Sequence, residues 1–335
     1  MKRQMTARRG YCGRWTGLVL WSVMLAWAAP AAEENRWLGK NGVRSDGANW
    51  SAGAPPAAQV AQRVVIGPAA AASVPALAAD AAVGGRLVLL EGARLALNGH
   101  TLDVGEALAR AAAGGAPGAP SAAEVCVEVQ KGGALEADGA TLRLHAGGLL
   151  NRGAVTGCFR LTLAGRTAGF VIDTERPIEL TAWEFGPSPY PYEVRLNGAA
   201  AVRGDLVLRG GHFIAARAAA AGAKAAALAL DGDLRFEGGA MPAVLTAETD
   251  ITVRGTVRSD GSARCLAAPG ADPVWEEQEF MGFQPSRESD AWVRLSGPGD
   301  RVIGVGGVLP PLMIDKPSGA VSLSGDLHCM GLFIQ

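Results

Sequence analysis

The sequence predicts an all-β chain wound as a parallel β-helix, or β-solenoid, with loop insertions. Short apolar runs of three to five residues alternate with period two and are bounded by Gly, Asn or Asp, which is the pattern of half-buried strands between turns. A twelve-residue unit returns along the chain, as expected of stacked supersecondary units. Amphipathic helical periodicity of useful length is missing. An antiparallel β-sandwich is the alternative all-β arrangement, and the internal repeat favours stacked coils over it.

Five basic residues, Lys2, Arg3, Arg8, Arg9 and Arg14, open the chain with no acid among them. An apolar run from Leu18 to Ala29 follows, and then Ala29-Pro30-Ala31, a small-residue cleavage site. The apolar run is shorter than the roughly 20 residues of a membrane-spanning helix, so residues 1–31 are expected to be a secretory signal peptide. Its removal leaves 26 basic against 32 acidic residues, a net charge of about −6. That balance gives no electrostatic attraction to nucleic acid. No later run reaches membrane-spanning length, so the protein is expected to be extracellular, on the cell surface or periplasmic.

Residues 32–70 are expected to form an N-terminal capping segment. Trp37 and Trp50 can either stack on sugars or cover the open first coil, and a solenoid end needs such a cover. Asn49-Trp50-Ser51 is formally a glycosylation sequon.

Residues 71–335 carry the repeats. Strands are predicted at Arg86–Leu90, Arg94–Leu97, Cys126–Val129, Thr141–Leu144, Phe159–Leu163, Glu193–Leu196, Asp205–Leu208, Ala227–Leu230, Ile251–Val253 and Trp292–Leu295. The clearest repeat runs from Gly204 to Ala215 and returns from Gly232 to Ala243, with an offset of 28 and six identities in twelve positions. A weaker copy begins at Gly325-Asp326-Leu327. Ala and Val suit a narrow interior, and Gly permits tight corners. Insertions interrupt the coils near 106–123, 215–227 and 265–289; the first two are rich in Ala and Gly and read as loops.

Both ends of this region resemble a known group. Trp37-Leu38-Gly39, then Asn49-Trp50-Ser51-Ala52-Gly53-Ala54-Pro55 and Val64-Val65-Ile66, resemble the W-x-G, N-W-x-x-G-x-P and V-x-I opening of bacterial secreted and surface proteins with β-helical repeats, of the autotransporter-associated or adhesin-like kind. Leu95-Ala96-Leu97-Asn98-Gly99-His100-Thr101-Leu102-Asp103-Val104 looks like their L-x-L-N-G-x-T-L-x-V unit. Ile314-Asp315-Lys316-Pro317-Ser318-Gly319-Ala320-Val321-Ser322-Leu323-Ser324-Gly325-Asp326-Leu327 looks like their S-G-x-V-x-L-x-G-D-L unit. The resemblance implies architecture and a surface role; its motifs specify no chemistry.

Parallel β-helices also host polysaccharide lyases and glycoside hydrolases, whose sites need clustered carboxylates. Asp205, Asp233 and Asp326 share a repeat position, and stacked coils would place Asp205 and Asp233 about one strand spacing apart, roughly 5 Å. Asp after Gly is also ordinary turn chemistry, its carboxylate bonded to nearby backbone. Trp275, Glu276 and Glu277 form an aromatic and acidic cluster that reads as a solvated loop pinned by its aromatics, or else as a holder of a sugar ring or calcium. His100, His145, His212 and His328 lack ligand spacing, and no cofactor or metal is expected. Arg203-Gly204-Asp205 matches the integrin-binding tripeptide. Export permits disulfides; Cys126 and Cys158 lie on short strands whose stacking would either bring the sulfurs together or leave two free thiols.

The sequence therefore points to an exported, non-catalytic β-solenoid acting as a surface or extracellular structural and adhesive module. Glycans or other surface proteins are its expected partners, with self-association through an open final coil ending GLFIQ. A polysaccharide-active β-helix enzyme and a fragment of a larger surface protein are the alternatives.

Overall fold

The computed structural model describes residues 34–39, 44–68, 74–113, 125–164, 169–187, 192–215, 226–237, 243–247, 251–260, 263–265, 292–304, 309, 312–325, 329 and 332–335. The chain divides into two compact units, Met1–Ala31 and Ala32–Gln335, and the described residues all belong to the second. That unit is a β-solenoid of about 8 turns. At the usual spacing of neighbouring strands, the stack is roughly 40 Å long.

Each complete coil gives one strand to each of three faces. The first face runs through Glu34–Arg36, Arg63–Ile66, Arg86–Leu89, Val127–Val129, Gly147–Asn151, Gly169–Thr174, Glu193–Asn197, Gly211–Ala215, Ala243–Ala247 and Ala263–Cys265. The second begins with Arg94–Ala96, Ala134–Glu136 and Ala154–Thr156. The third begins with Ala81–Val83, Thr101–Val104, Thr141–Leu144 and Cys158–Leu163.

The long strand Ile178–Phe185 then spans both of these faces. Its first half pairs with Ala199–Val202 and its second with Leu206–Leu208. From there the second face continues through Ala227–Leu230, Ile251–Val253, Val293–Leu295, Leu312–Ile314 and Leu332–Ile334. The third continues through Leu234–Phe236, Val257–Ser259, Arg301–Gly304 and Val321–Ser324. Every named strand pair is parallel, which decides against the antiparallel sandwich.

Period two in the sequence becomes stacking in space. Successive residues of a strand point to opposite sides, and parallel in-register pairing puts like positions above one another. On the first face Val64, Leu87, Val127, Leu149, Ile172 and Leu196 form one inward stack. On the third, Leu102, Leu142, Leu161, Trp183, Leu206, Leu234, Val257 and Ile303 form another. Burying each such side chain contributes about 1.5–3 kcal/mol.

The middle coils carry large aromatic side chains in the interior. There Trp183 packs edge-on against Phe185 and Phe213, with ring centroids 5.6 and 5.3 Å away. Some inward positions of the first face are polar: Asn35 pairs with Val64, and Asn151 stands between Val129 and the buried Thr174, fully buried itself with neither amide atom hydrogen-bonded.

Two tryptophans lie inside the first coil. Trp37 and Trp50 are buried in the core, meet edge-to-face at 5.0 Å and form an antiparallel bridge. A short 3-10 turn, Gly47–Asn49, leads into Trp50, and the Asp46 carboxylate accepts the Ala48 N–H at its start. The Trp50 indole N–H donates to the Arg44 carbonyl at 2.7 Å. The buried Asn35 side chain donates to Ala54 O and accepts from Ala52 N, pinning the loop after Trp50 to the first strand. The N-W-x-x-G-x-P string thus closes the end of the stack.

One expectation is corrected. The stretch from Glu106 to Ala113, read as part of a loop, is an α-helix. Its residues have high helix propensity, Glu106 pairs with Arg110 one turn on, and Leu108 and Ala109 reach the core. Ala-rich composition had hidden two anchoring positions. Residues 114–124, 216–225 and 266–291, which hold the rest of the three insertions, lie outside the described residues.

Candidate functional site

The repeat carboxylates sit at one corner of the coil, just before the third face. The Asp205 carboxylate accepts the backbone N–H of Asp233 at 2.9 Å, and the Asp233 carboxylate accepts that of Thr256 at 2.8 Å. Asp80 does the same for Thr101 at 2.8 Å, Asp138 for Cys158 at 3.0 Å and Asp300 for Ala320 at 2.9 Å. In each case the acceptor belongs to one coil and the donor to the next. The chain turns sharply here, so a strand's first N–H is not always met by the ladder. A carboxylate bond, worth about 1.5–3 kcal/mol when the acceptor is charged, meets it.

Glycine before the aspartate has a matching cause. A Cβ on Gly232 would lie 2.4 Å from the Gly204 carbonyl carbon and oxygen, and one on Gly255 would lie 2.2 Å from Gly232 O. Successive corners stack backbone on backbone, which only glycine permits. The Gly-Asp-Leu string is therefore a corner device with an apolar inward residue attached.

The offset of 28 holds along the third face, where Leu206 pairs with Leu234 and Leu208 with Phe236. It fails on the first face, where Gly211 pairs with Ala243. The weaker copy is out of phase. Gly325 follows the third-face strand Val321–Ser324 instead of preceding it, and Asp326 lies outside the described residues. The residue equivalent to Asp205 and Asp233 near that end is Asp300. Asp80, Asp138 and Asp300 were missed because no Gly-Asp-Leu string marks them.

Outside the corner, the third face carries a ladder of alternating charge. Arg160 meets Glu184 at 2.7 Å, and Glu184 meets Arg209 at 3.3 Å. Arg209 meets Glu237 at 2.9 Å, and Arg235 joins Glu237 to Asp205. Asp233 meets Arg258 at 3.1 Å. Nearer the first coil, Asp103 accepts from His145 at 2.9 Å and from Arg143 at 3.2 Å. Partial burial pushes the Asp103 carboxyl up, but the His145 bond and the Arg143 charge outweigh it and hold the group below the usual carboxylate range.

The remaining candidates separate. Asp205 and Arg203 of the integrin-like tripeptide are occupied, Asp205 as described and Arg203 by Glu179 at 2.6 Å. Trp37 and Trp50 are inside the first coil and cannot stack on a sugar. Asn49 is fully buried, which removes the sequon from modification. His100 lies 3.8 Å from Asp80. His212 is buried, and desolvation holds its imidazole below the ordinary value. Trp275, Glu276, Glu277 and His328 lie outside the described residues.

Cys126 and Cys158 are both free thiols. Cys126 leads into the first face, fully buried, with its thiol 3.5 Å from Gly148 O, and burial pushes its pKa up to about 12. Cys158 starts a strand of the third face, so coil stacking places the two sulfurs in different walls. Among the described residues no group of three His, Cys, Asp or Glu side chains is placed to hold a metal ion, and no helix is long and apolar enough to cross a membrane.

Part of the outer side of the second face carries small residues, with the charged Glu179 and Arg294 in the same rows. Ala199, Ala201, Ala227 and Ala229 point outward from paired strands, with Thr252 beside them and the pairs Arg203–Glu179 and Arg254–Asp231 along one margin. No protein-family model matches the chain, and no curated protein or solved structure matches it significantly.

Proposed function

We propose that the chain is an exported, non-catalytic structural and adhesive module of the cell surface or extracellular space, with glycans or other surface proteins as partners. One observation carries this reading: carboxylates at five coil corners are bonded to the backbone of the next coil. A lyase or hydrolase needs carboxylates aimed at a substrate; these are aimed along the stack and serve rigidity. The signal-like segment 1–31 supports export, and the outward alanines of the second face, among charged side chains, support contact over a surface in place of a cleft. A rigid rod loses little conformational freedom on binding, so many weak contacts on a flat wall can add up.

The test incubates the purified chain with a panel of neutral and acidic polysaccharides, with and without calcium, and records both retention and product release. Retention without product release is expected. Product release that Asp205→Asn abolishes, with the fold intact by circular dichroism, would overturn the proposal.

A further inference from the structure

Arginines along the walls are matched by acids. Arg143 and Arg152 meet carboxylates at 3.2 and 2.9 Å, and the more exposed Arg203 and Arg254 do so at 2.6 Å each. Arg44 is different. It is only partly open to solvent, and its guanidinium donates from Nη2 to the Ala82 carbonyl at 3.0 Å. Among the described residues no carboxylate meets it. Register places Asp103 beside Ala82, but Asp103 is taken up by Arg143 and His145. Desolvation pushes the Arg44 pKa down, with no neighbouring acid among the described residues to offset it.

A second donor of the first coil also lacks an acceptor. The Trp37 indole N–H is buried and makes no hydrogen bond. Trp37 packs edge-on against Trp50, whose own indole N–H holds the Arg44 carbonyl at 2.7 Å. Both donors therefore belong to one braced segment, in which N–H groups outnumber the acceptors that meet them. A part-buried cation without a partner is costly, and an oxyanion relieves that cost. From this cluster we infer that Arg44 is a binding site for a carboxylate of an acidic polysaccharide.

The bond to Ala82 uses one N–H of the guanidinium and leaves the rest of its fork, which matches the two oxygens of a carboxylate side by side. The residue is held at both ends, its carbonyl by Trp50 and its guanidinium by Ala82, so little freedom is lost when a ligand arrives. Asp103, the nearest acid by register, is neutralised by Arg143 and His145 and does not cancel the charge of Arg44. Without residues 1–31 the chain carries about −6, which repels a polyanion at long range. Retention of an acidic polymer therefore has to come from a local site. The inference rests on the adhesive reading and names the class of glycan it takes.

The experiment has two arms at fixed ionic strength. Thermal unfolding with free galacturonate or galactose reads the site, and retention on polygalacturonate or its methyl ester reads adhesion. Galacturonate is expected to raise Tm and galactose to leave it unchanged. Polygalacturonate is expected to hold the chain at least about 10-fold more tightly than the neutral ester. Arg44→Gln and Arg44→Lys should each abolish the Tm shift and lose that 10-fold, with circular dichroism unchanged, because an ammonium cannot reproduce the fork. No shift with galacturonate, a shift that persists in Arg44→Gln, or retention indifferent to esterification would overturn the site while leaving adhesion standing. A shift without retention on any polymer would overturn both the polysaccharide as occupant and the adhesive reading. Tighter retention on polyglutamate than on polygalacturonate would overturn the choice of a glycan. Should Arg44→Gln fail to fold, the ester comparison on the parent chain still decides.

Discussion

Replacing Asp205 by Ala separates a corner clamp from a catalytic carboxylate. The substitution removes the acceptor 2.9 Å from the Asp233 N–H and the partner 3.3 Å from the Arg235 guanidinium. The first loss is that of a part-buried, charge-assisted hydrogen bond, about 1.5–3 kcal/mol. The second is small, because Arg235 keeps Glu237 and surface pairs contribute about 0–1 kcal/mol. The expected destabilisation is therefore about 2 kcal/mol. For a unit of this size that corresponds to a fall in Tm of roughly 3–6 °C. Asp205→Asn keeps an oxygen acceptor but gives up the charge, and about half the effect is expected. Asp231→Ala, which removes an exposed pair with Arg254, is the control and should stay within about 0.5 kcal/mol of the parent. The assay is urea unfolding followed by circular dichroism, with hydrogen exchange at the Asp233 amide as the local readout. If Asp205→Ala is as mild as Asp231→Ala, or if the Asp233 amide exchanges no faster, the clamp is wrong.

Trp183→Ala should cost about 3–5 kcal/mol in the same unfolding assay, since a fully buried ring packed on Phe185 and Phe213 leaves a cavity, whereas Trp183→Phe should cost less than about 1.5 kcal/mol. His212 makes stability pH-dependent: its folded value lies below the ordinary 6.5, so the unfolded chain binds the proton first and stability falls as pH drops through 6.5. His212→Asn should flatten that part of a urea midpoint-against-pH curve. The Cys126 thiol, fully buried and with its pKa up at about 12, should resist a thiol reagent at pH 8 until the chain unfolds. Cys126→Ser should accordingly leave the native count of reactive thiols unchanged.

Strands were legible wherever alternation was clean. Thr141–Leu144, Ala227–Leu230 and Ile251–Val253 fall where period two places them. Gly147–Asn151 and Gly211–Ala215 were not predicted, because glycine opens each and apolar residues occupy both sides, as on Ile214. The helix at Glu106–Ala113 was hidden by composition: its one strong apolar residue, Leu108, sits among alanines that serve helix and loop alike. At the corner, residue type was legible and partner was not. Asp after Gly announced backbone bonding, but the bonded N–H lies 28 residues on for Asp205 and 20 for Asp138, a distance that coil length alone sets. For Trp37 and Trp50 residue type alone left burial and sugar stacking open, and only their mutual contact at 5.0 Å separates the two.

The clamps join residues 21, 20, 28, 23 and 20 positions apart, so no two neighbouring coils need agree in length. Each corner measures its position only from the corner beneath it. A length change between two corners is absorbed before the next clamp closes, and errors do not accumulate along the stack. Variation in loop length is thereby confined to outward excursions, and such a protein can acquire or lose surface loops while its walls keep the same spacing.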